Sequence, residues 1–231
     1  MTRPVAVLCL SSVLDARLSS GGAVDAASSA RALTDLGFDV RVVGFRRRQD
    51  AAMHAGFDQI AMPVAPRGLS TLRRPRLPLF SAGRDRARGA QAEPVRALLA
   101  RADLVVAHGD YMLPFAVRHA PITTPLVLRS ENDETAYLRA RSRGERGPQR
   151  WLTAAERHRA PAVLSAAAGR PRTAVALISA ADAGAYDDVG WPVVTVPTGL
   201  WDPAGAPAVP ASAPDPVVLF VGSLDQAFNR E

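Results

Sequence analysis

The sequence predicts an α/β fold: a Rossmann-like parallel sheet with helices on both faces. Three observations predict it. Short apolar, β-branched runs recur along the chain, as in strands buried on both faces. Stretches with apolar residues at helical spacing separate them. The first 45 residues already read strand, helix, strand, a unit whose crossover is right-handed almost without exception.

In chain order, Val5 to Leu10 is the first buried strand. A loop follows, ending Ser19-Ser20-Gly21-Gly22. Ala23 to Leu36 has helical spacing (Val24, Ala27, Ala30, Leu33), and Gly37 is its stop signal. Val40 to Phe45 is the second strand and Gln59 to Met62 a short third. Residues 63–90, rich in Arg, Pro and Gly, read as a long irregular loop that is mobile or covers a cleft. Ala92 to Arg101 is a helix, with Pro94 tolerated in its first turn. Asp103 to His108 is a strand, Tyr111 to His119 a helix and Pro125 to Leu128 a strand. From Asn132 to about Ala168 the pattern is helical, broken at Gly144 to Pro148 and at Pro161. Thr173 to Ser179 and Val193 to Pro197 are strands, with a short helix at Ala181 to Asp187 between them. Residues 1–201 thus form one domain. Residues 202–216, with five prolines, read as an extended linker. Residues 217–231 begin with the apolar run Val217 to Val221, closed by Gly222, and read as the first strand and turn of an incomplete second domain.

Composition narrows the function. The net charge is +6, yet the chain contains no Lys, so all 28 basic residues are Arg. With the high Ala, Pro and Val content, this pattern reflects a GC-rich coding bias rather than selection for a polyanion. Arg clusters occur at 46–48, 73–76, 84–88 and 139–143 with little aromatic interleaving, so no nucleic-acid partner is expected. A solvated basic face is the preferred reading, with contact to anionic lipid or a phosphorylated substrate as the alternative. The single Cys9 excludes an intrachain disulfide and reads as a core thiol. The first apolar run is too short for a signal peptide, and no stretch approaches the roughly 20 apolar residues of a membrane span. A cytoplasmic protein with at most peripheral membrane contact is expected.

In parallel sheets of this kind ligands bind beyond the carboxyl ends of the strands, so residues just past each strand are the candidates. Gly21 and Gly22 either let backbone N–H groups meet an anion at a helix N-terminus or simply give the loop its turn; the full G-x-G-x-x-G pattern is missing. His108 closes its strand and Asp110 lies two residues on. Such a His exchanges hydrogen bonds near neutral pH, or bonds only to its loop. Arg129, Glu131, Asn132 and Glu134 fall in Arg129-Ser130-Glu131-Asn132-Asp133-Glu134, at a strand end that opens a helix. Asn132 or Asp133 is a candidate cap, and Glu134 suits the positive end of the dipole. Capping leaves Arg129 unexplained. Ser179 reads as an N-cap and Pro197-Thr198-Gly199-Leu200 as a turn. No metal-ligand pattern is present in the sequence.

Seven segments, taken in order, resemble the N-terminal half of GT-B glycosyltransferases of the family-four type over nearly the whole chain. They are Ser20-Gly21-Gly22, Leu36-Gly37-Phe38-Asp39-Val40, Asp103 to His108, Leu128 to Glu134, Ile178 to Asp182, Val196 to Leu200 and Leu219 to Ser223. The chain departs from many relatives in having Glu131 where they have His, and Thr198 where they have Asn. The resemblance implies an acceptor-side domain facing a donor domain across a cleft. It further implies a nucleotide-sugar co-substrate, a hydroxyl acceptor, no cofactor and no obligatory metal. Gly21 and Gly22 would approach the donor phosphates, while His108 with Asp110 would position the acceptor. A separate chain could supply the donor domain, and the chain alone is then expected to be inactive. Two other readings are carried: a non-catalytic binding module or truncated remnant, and an unrelated Rossmann-like nucleotide-binding enzyme. Against the second, Arg46 stands where a dinucleotide enzyme closes its second strand with an acid.

Overall fold

In the computed structural model of the chain, residues 2–18, 20–46, 52–65 and 76–198 are described. The expected linker at 202–216, the strand expected at Val217 to Val221 and Gly199 lie outside them. Seven strands form one sheet: β1 (Val5–Leu10), β2 (Asp39–Arg46), β3 (Gln59–Pro63), β4 (Leu104–His108), β5 (Leu126–Ser130), β6 (Thr173–Leu177) and β7 (Val193–Thr195). Their order is β3-β2-β1-β4-β5-β6-β7, and every pairing is parallel. This is the expected Rossmann-like α/β arrangement.

Alternation along the strands divides the core between the two faces. Leu8, Leu10, Val42 and Val106 meet Ala26, Ala27 and Ala30 of α1 (Gly21–Asp35). Val7, Cys9, Val43, Phe45 and Val105 point to the opposite face. There they are covered by α3 (Ala92–Ala100) and α4 (Leu113–His119), with α2 (Leu79–Ala82) preceding them in the chain. Phe45 and Phe115 anchor that side edge to face, with centroids 5.4 Å apart. Cys9 is fully buried, and desolvation pushes its thiol up to about 12, so it is an unreactive core residue.

Several boundaries differ from the sequence reading, each for a local reason. α1 starts at Gly21, because Ser20 is already a complete N-cap: its hydroxyl accepts from Ala23 N at 3.1 Å. Gly21 and Gly22 therefore lie inside the first helical turn, not in a loop before it. The stretch read as one irregular loop over 63–90 contains α2 and a 3₁₀ turn at Gly89–Gln91. Arg84 ties it down, stacking 3.8 Å over the Phe80 ring and donating from Nε to Ser11 O at 2.7 Å. The helix expected over 111–119 divides into a 3₁₀ turn at Asp110–Met112 followed by α4. The long helical region is three helices, α5 (Glu134–Gly144), α6 (Pro148–Arg159) and α7 (Pro161–Ser165), broken where Gly and Pro predicted. Asp133, not Asn132, caps α5, accepting from the Thr135 and Ala136 amides. Ser179 caps as expected, but over a 3₁₀ stretch, Ala180–Val189. Among the described residues no helix is long and apolar enough to cross a membrane.

Candidate functional site

Strand order reverses direction between β1 and β4, since the chain leaves β1 toward β2 and β4 toward β5. A crevice opens at the carboxyl edge at such a switch point. In-register pairing sets Leu10, His108 and Arg129 side by side along that edge. Gly109, at φ +81, turns the chain sharply after His108, and its amide is held by Arg129 O at 2.8 Å.

The centre of the site is Asp25, a residue the sequence reading did not single out. It lies in the second turn of α1 and is 2% exposed. Its Oδ2 accepts from Arg129 Nε and His108 Nε2, both at 2.9 Å. Its Oδ1 accepts from Arg129 Nη2 and from the Thr198 hydroxyl, both at 2.7 Å. All four acceptor positions of the carboxylate are thus used. The fork of Arg129 is bidentate, and its Nη1 also donates to Leu177 O at 3.3 Å and to Val196 O. One carboxylate therefore ties α1, β4, β5, the end of β6 and the segment after β7 together. Burial by itself would raise Asp25; the bonds from Arg129, His108 and Thr198 outweigh it and hold the carboxyl well below the usual range.

His108 is held on both sides. Its Nδ1 stands 3.3 Å from Glu131 Oε1, opposite the Asp25 bond. Burial opposes its charge, but the bonds to Asp25 and Glu131 outweigh burial and raise its pKa above the ordinary histidine value. Glu131 is the accessible member, its side chain 33% exposed. Its carboxylate lies over the first turn of α1: a Cβ on Gly22 would sit 2.9 Å from Glu131 Oε1. Glu131 thus lies beside the first turn of α1, close to the end of the helix where an external anion would bind.

A testable consequence follows from which atoms meet there. Gly22→Ala pushes only on the far end of a flexible side chain and adds helix propensity. Stability to urea should hold steady or rise by up to about 1 kcal/mol. The displaced Glu131 should lower the His108 pKa in an NMR titration, as should Glu131→Gln. A loss of more than about 1 kcal/mol in Gly22→Ala would contradict this geometry.

The remaining sequence candidates fall elsewhere. Asp110 does not join His108. It is buried behind the site, where the Tyr186 hydroxyl donates to its Oδ2 at 2.9 Å and lies 2.5 Å from Ser130 Oγ. Burial first, then the charges of Asp133 and Glu131, push Asp110 up to about 6 against the bonds from Ser130 and Tyr186. Glu134 is pushed up to about 7 by burial and by Asp110, Glu131 and Asp133, with the Tyr111 hydroxyl opposing. Its Oε2 is buried without a hydrogen-bond partner among the described residues, which suits a protonated carboxyl. Asn132 is exposed and contributes its main-chain carbonyl, which accepts from Ser130 Oγ at 3.0 Å. Gly21 is exposed at the start of α1. The structure therefore gathers Gly22, His108, Arg129 and Glu131, adds Asp25 and Thr198, and sets Asp110 and Glu134 in a second, carboxyl-rich layer with Tyr186.

Asp25 carries one signal in the sequence: it is the acid on a helix face otherwise built from Ala26, Ala27 and Ala30. Among the described residues no group of three or more His, Cys, Asp or Glu side chains is arranged to hold a metal ion. The fold and site define a Rossmann-like α/β domain with a buried charged network at its switch point. Comparison with models of known protein families and with curated proteins finds no match to the chain.

Proposed function

We propose that the chain is the acceptor-side domain of a glycosyltransferase that moves a sugar from a nucleotide-sugar donor to a hydroxyl acceptor. One observation carries the reading. Parts of four of the segments resembling family-four GT-B enzymes, distant in sequence, meet at the switch point: Gly22 with Glu131, His108 and Arg129 with Asp25, and Val196 and Thr198 with Arg129 and Asp25. Glycosyl transfer needs stabilisation of a leaving diphosphate and a fixed acceptor hydroxyl. The amides of Gly21 and Gly22, at the positive end of the α1 dipole, suit the first task once Glu131 swings aside. With Glu131 swung aside, His108 Nδ1, held in direction by the Asp25 bond at Nε2, suits the second. Glu131, the accessible carboxylate beside it, is placed to accept from a hydroxyl. The donor-binding half would come from a second domain, in the same chain or another.

The test is sugar transfer from UDP-, GDP- or ADP-linked donors to hydroxyl acceptors by this chain combined with a donor-binding domain. Transfer is expected, and His108→Ala should reduce it about 10²-fold or more. Tight NAD binding with hydride transfer would replace the reading with that of a dinucleotide enzyme. Binding of sugar acceptors with no transfer in any combination would leave a binding module.

A further inference from the structure

The hairpin of α5 and α6 has no part in the site network beyond the start of α5, and its two helices pack mainly on each other. From residue 143 to 152 every residue is exposed except Glu145. Trp151 is 78% and Leu152 49% exposed, consecutive residues in the first turns of α6. Trp191, by contrast, is buried. An indole left in water at a projecting tip is a costly placement for a monomeric domain surface.

The charge around that indole is one-sided. Glu145 is already engaged by Arg141 Nε at 2.8 Å and by the Thr153 hydroxyl. Glu156, further along α6, faces Arg159 at 3.8 Å. Arg143, Arg146 and Arg150 take part in no ion pair among the described residues, and all three are exposed in the same stretch of chain as Trp151. Arginine guanidinium groups beside an exposed Trp and Leu match a surface that is anionic outside and apolar just beneath.

We propose that the tip of the α5–α6 hairpin docks on an anionic membrane surface. Trp151 and Leu152 enter the boundary between headgroups and acyl chains, and Arg143, Arg146 and Arg150 bind lipid phosphates. A projecting tip with two apolar side chains is too small for a stable protein interface, which needs about 800 Å² from each partner. A deformable bilayer needs no matching concavity. Single-stranded nucleic acid is poorly served, because successive bases need several aromatic platforms along a groove. The helix would lie on the membrane rather than cross it. This inference stands independently of the glycosyl-transfer reading.

The experiment is co-sedimentation of the full 231-residue chain with two vesicle types. One is phosphatidylcholine alone; the other is phosphatidylcholine with about 30% phosphatidylglycerol, an anionic surface of the kind that attracts basic segments. Binding to the anionic vesicles alone is expected, weakening as salt rises. Each arginine contributes about fivefold, so the triple change of Arg143, Arg146 and Arg150 to Gln should lower binding by about 10². Trp151→Ser with Leu152→Ser should abolish the residual salt-resistant part. All five positions are exposed, and circular dichroism with urea denaturation checks that both variants fold. Equal vesicle binding by wild type and both variants would overturn the proposal. So would self-association lost on Trp151→Ser without vesicle binding, which would mark a second copy as the occupant. Single-stranded DNA binding stronger than vesicle binding and lost in the arginine variant would also overturn it.

Discussion

Asp25→Ala is expected to destabilise the domain by about 3–5 kcal/mol, the cost of leaving a buried charge partner uncompensated. The residue is 2% exposed and takes four hydrogen bonds, two of them from the Arg129 fork and one from His108. Truncation strands the buried Arg129 guanidinium and the buried His108 ring, whose donors must then find water or move. Asp25→Asn keeps the shape but removes the charge and two of the acceptor positions, so it should fall between wild type and Ala. Urea denaturation at pH 7 measures both. A loss below about 1 kcal/mol for Asp25→Ala would mean that the network does not hold these elements together.

The same group fixes the acid limb of stability. The folded Asp25 pKa is depressed, so its contribution is present above the unfolded value near 3.9 and fades as pH falls below it toward the folded value. His108 runs the other way. Its folded pKa is raised, so its contribution is complete below about 6.5 and is lost as pH rises through the folded value. Asp110 and Glu134 hold their protons more tightly when folded, to about 6 and about 7. Their contribution therefore falls as pH rises from about 4 through those values. In Asp25→Ala the loss of stability between pH 4 and 2 should be shallower than in wild type. The decline from pH 4 to 7 due to Asp110 and Glu134 should remain.

Gly44→Ala should destabilise the fold by about 1–3 kcal/mol, as forced overpacking does, although Gly→Ala normally favours folding slightly by restricting the unfolded chain. Gly44 lies within β2, directly against the segment that leaves β1. A Cβ there would stand 2.8 Å from Val13 Cα and 2.9 Å from Val13 N. These are backbone atoms, and they are pinned. Val13 N donates to Phe45 O at 3.1 Å, and Ser11 O accepts from Arg84 at 2.7 Å. Relief requires moving the loop that borders the crevice. The contrast with Gly22→Ala is diagnostic, because there the obstructing atoms belong to a side chain that can swing away. Equal stability of the two variants would show that the loop after β1 is softer than its hydrogen bonds indicate.

The strands were legible because a buried parallel strand is a continuous apolar run with its own composition. Val5 to Leu10 and the strand ending at His108 could be read without knowing their neighbours. Helix breaks at Gly144 to Pro148 and Pro161 were equally local, since proline and glycine act on their own backbone. α1 starts two residues ahead of its helical spacing, because Ser20 caps it and the two glycines after the cap are helical. The candidate site was legible only in part. His108, Arg129 and Glu131 announced themselves by standing at strand ends. Asp25 did not, since a helical repeat counts apolar positions and passes over a single acid among alanines.

By itself, then, the sequence determined the βα order, the parallel sheet and the edge where polar residues collect, all of which rest on contacts along the chain or on backbone chemistry. Only the tertiary structure decided which charges meet. Asp25 lies 83 residues from His108, 104 from Arg129 and 173 from Thr198. No local pattern encodes those pairings, because a buried carboxylate takes whatever donors the packing of α1 against the sheet delivers. The same packing separated Asp110 from His108: at two residues' distance, the turn at Gly109 sends one side chain into the crevice network and the other behind it to Tyr186.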